Sequence, residues 1–161
     1  MRKLKKRKSV SEEPNLPKAF LFGLCAAVIS CIIWFAAVAG THWQFGIIAV
    51  VVGFFVGKAT IYGAGYKSSG KIQAIAIILT LLTMIVSEYL ISIYFINQES
   101  TSGEEFFSYV QPPGFIAYRV YDSLIYDPLT LIFWAIALYE AYALTKVTAP
   151  DKLLKETIEG N

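Results

Sequence analysis

Four long apolar stretches separated by short polar ones make up most of this chain. Residues 19–39 carry no charge, and a helix of that length rises roughly 30 Å, the thickness of a bilayer's hydrocarbon core. After a turn at residues 40–44, which holds His42, the chain is apolar again over 45–66, with Lys58 as its one charge. A polar loop with Gly65, Lys67, Ser68, Ser69, Gly70 and Lys71 leads to a third run, 72–96, which carries Glu88 and is long enough to tilt. The fourth run, 128–145, holds Glu140 and opens on Asp127-Pro128, an N-cap residue followed by a first-turn proline. The pattern predicts an all-α fold, a polytopic transmembrane bundle of four helices within residues 19–145.

The segments outside the spans differ from one another. Residues 1–18 are basic, then acidic at Glu12 and Glu13, then interrupted by Pro14 and Pro17, and read as a cytoplasmic arm without structure of its own. A signal peptide is the competing reading of this end, but the apolar stretch is longer than a usual signal core. Residues 97–127 scatter Phe106, Phe107, Tyr109, Phe115, Tyr118, Tyr121 and Tyr126 among acids, a composition suited to the bilayer surface. They predict an interfacial amphipathic segment between the third and fourth spans, with Pro112-Pro113-Gly114 as its break. Residues 146–161 form a short mixed-charge tail.

Composition explains why lipid is needed: 56% of residues are hydrophobic, 16% are charged, and the mean hydropathy is +0.55, a balance that soluble domains of this size do not keep. Charge distribution adds an orientation. Of the 14 Lys and Arg, the arm holds seven, the 67–71 loop two and the tail three, while Lys58 lies within a span and only Arg119 falls on the opposite side. Arm, loop and tail are thus expected in the cytoplasm, as in a multi-pass protein of the cell inner membrane, with His42 and the segment around Phe107 outside. Arg2, Lys3, Lys5, Lys6, Arg7 and Lys8 abut the first span, so anionic lipid headgroups are their expected partner and nucleic acid is not.

Candidate chemistry is sparse. Cys25 and Cys31 sit six residues apart within one span, on different faces of a helix, and with one histidine in the chain no metal site or cofactor is expected. No nucleophile elbow, zinc-protease motif or phosphate loop occurs, so the chain reads as a non-enzyme. Ala49, Gly53 and Gly57 place small residues at every fourth position, the spacing that lets helices pack backbone to backbone in lipid. Their partner is a second helix of this chain or a second copy. Lys58 lies thirteen residues after Phe45 and Glu140 twelve after Pro128, about 20 and 18 Å from the same surface at helical rise. A lone charge at that depth is costly, so the two are expected to pair, with snorkelling of Lys58 or a proton or substrate path as alternatives. Glu88 shares a polar stripe with Gln73, Thr80, Thr83, Ser87 and Ser92 that must face the bundle interior. Arg119, His42 or a tyrosine would hold its carboxylate, or the stripe would line an outward crevice. His42 beside Trp43 is an interfacial residue, or else a pH-sensing one.

The stretch from Trp43 to Ala59, together with Ser87 to Ile91 and Ile136 to Tyr142, resembles a family of uncharacterised bacterial four-helix integral membrane proteins. Some of its members carry an N-terminal zinc-ribbon-like or GYF-like domain, and no zinc-ribbon cysteines precede the first span here. The resemblance implies a four-helix membrane domain and no particular activity. The expected function is that of a small accessory or scaffold subunit. The alternative is a small oligomeric transporter or channel using Glu88, Lys58 and Glu140.

Overall fold

A computed structural model describes residues 14–42, 46–99, 114, 118, 121 and 128–146, and among them there are four α-helices and no strand. The helices are α1 (Leu16–Thr41), α2 (Ile47–Gly63), α3 (Gly70–Glu99) and α4 (Pro128–Lys146). Three of them, α1, α3 and α4, are long and apolar enough to cross a membrane. Helix α2 is apolar but has 17 residues, a rise of about 25 Å, so a bilayer of ordinary thickness must thin around it or receive its flanking turns. The predicted interfacial segment and most of the arm and tail lie outside the described residues.

The helix ends have local causes. Pro17 does not end the arm as a breaker; it sits in the first turn of α1, where its missing N–H is no loss, and the Asn15 carboxamide oxygen accepts from the Lys18 N–H at 3.1 Å. At the other end the helix continues through Gly40 and Thr41, which the sequence suggests are a turn. His42 closes it with φ of 58°, its N–H donating to the Val38 carbonyl at 2.8 Å. Histidine is among the side chains that enter this left-handed region with least strain. Helix α2 stops in a Schellman motif: the Gly65 N–H reaches the Tyr62 carbonyl and the Tyr66 N–H the Ile61 carbonyl, both at 2.9 Å, with Gly65 at φ +68°. Ser69 then caps α3 by accepting from the Ile72 N–H at 3.3 Å.

Helices α2 and α3 form the central diagonal of the bundle, each touching both flanking helices, while α1 and α4 lie on opposite sides. The interior mixes small and hydroxyl-bearing residues with larger apolar ones such as Trp34, Ile72, Met84, Ile91 and Ile93. On α1 the buried positions are Ala19, Gly23, Ala27, Ser30, Trp34 and Val38, whereas Phe20, Leu21, Val28, Ile29, Ile32 and Ile33 are exposed. On α1, large aliphatics outside and mostly small residues inside invert the arrangement of a water-soluble core. In lipid that inversion is favourable, because the tails solvate Leu and Ile as well as a protein interior does and close helix approach supplies the packing energy. The chain is therefore a membrane protein.

Candidate functional site

The tightest glycine contact in the bundle is between α2 and α4. A Cβ on Gly53 would collide with the Ala137 carbonyl oxygen, and one on Gly57 would come within 2.9 Å of the Ala141 Cα. The small-residue spacing of α2 thus meets an alanine repeat of equal step within the same chain, and Ala49 continues the buried face one turn earlier. Helix α1 approaches α2 elsewhere: a Cβ on Gly23 would lie 2.5 Å from the Thr60 hydroxyl, and one on Gly63 would lie 2.6 Å from the Lys18 carbonyl oxygen.

Lys58 follows Gly57 and Glu140 precedes Ala141, so the two charges do sit at nearly one depth beside the α2–α4 seam. No ion pair joins them. The reason is rotational: one residue along a helix turns the side chain by about 100°, which carries Lys58 off the α4 side. It is exposed and lines a groove between α1 and α2 with Phe22, Phe55, Tyr62 and Tyr66. Glu140 is half-buried, and its Oε2 is enclosed without a hydrogen-bond partner.

The polar stripe of α3 points inward. Thr80, Thr83, Ser87 and Ser92 are all buried, while Gln73 and Glu88 are half-buried. Thr83 donates to the Leu79 carbonyl at 2.7 Å and Ser92 to the Glu88 carbonyl at 2.8 Å, the back-bonding that lets a hydroxyl sit inside an apolar bundle. Thr60 on α2 and Thr145 on α4 are satisfied in the same way, by the carbonyls of Val56 and Ala141. The Thr80 and Ser87 hydroxyls are enclosed without a partner, as are the indole N–H groups of Trp34 and Trp134, which belong to the main apolar cluster.

At the far end of α1, His42 is exposed and its ring lies 6.4 Å from that of Tyr94, whose hydroxyl donates to the Ala39 carbonyl at 3.2 Å. This end is an aromatic clasp between α1 and α3. Arg119 falls outside the described residues, so its expected contact with Glu88 does too. Cys25 and Cys31 are both unbonded. Among the described residues no group of three His, Cys, Asp or Glu side chains could hold a metal ion.

The sequence reading passed over Tyr62 and Tyr66. They follow Lys58 at four-residue steps, so the three side chains fall on one stripe, and that spacing was the available signal. Trp34 and Trp134 carry no such signal, since an indole in an apolar span suits a lipid face and a core equally. Comparison with known protein families, with curated proteins and with solved structures finds no match to this chain.

Proposed function

We propose that this chain is a small, non-enzymatic accessory or scaffold subunit of a bacterial inner membrane, with both termini in the cytoplasm. The observation that supports it is how the polar groups of the spans are used. Thr60, Thr83, Ser92 and Thr145 each bond a carbonyl of their own helix, and the glycines of α2 bring it against α4 too closely for a solvent-filled gap. Such groups serve assembly of the bundle and leave its broad aliphatic exterior to meet lipid or other membrane subunits.

The experiment is recovery of the tagged protein from membranes in a mild detergent. A stoichiometric partner subunit supports the proposal. A homo-oligomer without other subunits that carries flux in liposomes, lost on Glu140→Gln, overturns it in favour of a transporter or channel. That second reading draws on one observation, the enclosed and unpartnered Glu140 Oε2, but Lys58 faces the α1–α2 groove and so lies off any path between α2 and α4. Orientation is tested in a background with Cys25 and Cys31 replaced by serine. A cysteine at Ser69 is expected to react with an impermeant maleimide only after permeabilisation, and reaction in intact cells would invert the topology.

A further inference from the structure

The α1–α2 flank carries a built groove with its own charge pattern. One part, of about 620 Å³, runs along the outer face of the two helices between Ile29, Ile33 and Phe55, with Lys58 at its edge. A second, of about 680 Å³, lies at the end of the bundle that holds the start of α1 and the α2–α3 loop, and is bordered by Asn15, Lys18 and Lys67. Phe22 and Tyr62 line both parts, so the two are adjacent. No acidic side chain among the described residues lines either.

The aromatic residues show where this groove sits relative to the membrane. Phe22 and Tyr62 meet with ring centroids 5.5 Å apart, and Tyr62 and Tyr66 at 6.0 Å. Exposed tyrosines clustered at the end of an apolar helix collect at the level of the lipid headgroups, where ring and hydroxyl each find their preferred surroundings. Lys18 and Lys67 then stand at the headgroup level. Lys58 lies one turn below Tyr62, about 6 Å deeper, within reach of the headgroup level for a four-carbon stem that snorkels. The rest of the groove is apolar and lies within the hydrocarbon. The feature therefore has a cationic mouth at the interface and an apolar trough beneath it.

We propose that the α1–α2 groove is a binding site for an anionic phospholipid, whose phosphate is held by Lys18 and Lys58 and whose acyl chain lies along Ile29, Ile33 and Phe55. The complementarity is twofold, charge at the mouth and apolar surface below, and a neutral lipid satisfies only the second. The site does not depend on the scaffold reading, and its test leaves that reading untouched.

The test is lipid retention by the full chain, extracted in mild detergent from mixed phosphatidylglycerol and phosphatidylcholine nanodiscs and read by native mass spectrometry. Wild-type protein retains phosphatidylglycerol in preference to phosphatidylcholine. Each lysine removed near an anionic headgroup lowers that preference by about fivefold, so Lys18→Gln and Lys58→Met both reduce it while Lys146→Gln, on α4, leaves it unchanged. Ala59→Phe, which fills the trough and keeps every charge, lowers retention of both lipids. Equal retention of the two lipids by wild type, an unchanged preference in the lysine variants, or a rise in melting temperature with inorganic phosphate as large as with phosphatidylglycerol overturns the proposal. Lys18 and Lys58 are exposed, so the result of replacing them stands even where Ala59→Phe fails to fold.

Discussion

Helix α2 meets its two flanking neighbours through glycine in both cases, with opposite results. Against α4, Gly53 and Gly57 face Ala137 and Ala141, so small residues oppose small residues and the backbones touch along two turns. Against α1, Gly23 and Gly63 close the inner edge, but Phe22, Phe55 and Tyr62 stand on the outer edge and hold the helices' outer faces apart. One contact is a dry seam and the other a seam with a groove behind it. Glycine sets how near two axes can come, and the residues one position away decide whether the approach excludes everything else. In lipid this matters more than in water, since no hydrophobic force closes a gap that acyl chains can fill.

The sharpest way to break that comparison is Gly53→Val. Its new atoms meet main chain that cannot swing aside, so the expected loss is about 3 kcal/mol or more, read as a large fall in melting temperature in detergent. A loss below about 1 kcal/mol would show that the α2–α4 seam is looser than its geometry. On the other seam the two glycines are expected to separate. Gly63→Ala meets the Lys18 carbonyl oxygen and the Ala19 Cα at 2.8 Å and costs about 2 kcal/mol. Gly23→Ala meets side-chain atoms of Thr60 and Leu79 in place of main chain, and costs about half as much. Equal losses would mean that α1 shifts as a rigid body.

The smallest expected effect concerns the two charges beside the seam. Lys58→Met, Glu140→Gln and the double variant are expected to give additive changes in stability, with a coupling below about 0.5 kcal/mol, because the side chains do not meet. A double variant more stable than the sum of the single ones by about 1 kcal/mol or more would show that they pair in the membrane. The single Glu140→Gln change removes an unpartnered carboxylate and is expected to leave the bundle as stable as before or more so.

Depth along the membrane normal could be read from residue order alone. The four apolar stretches became α1 to α4 with ends displaced by no more than three residues, and Lys58 and Glu140 lie at one level because helical rise converts counting into distance. Small-residue spacing also marked α2 as a packing helix before any partner was known. Rotation and partnership were decided only by the tertiary structure: that α2's glycines face α4, that Lys58 turns to the α1 groove, that the indoles of Trp34 and Trp134 point inward. In water a helix announces its buried face by the contrast between apolar and polar sides. These helices are apolar all round because lipid and protein interior reward the same side chains, so the contrast that would fix rotation is missing from the residues and arises only when the four surfaces are fitted together.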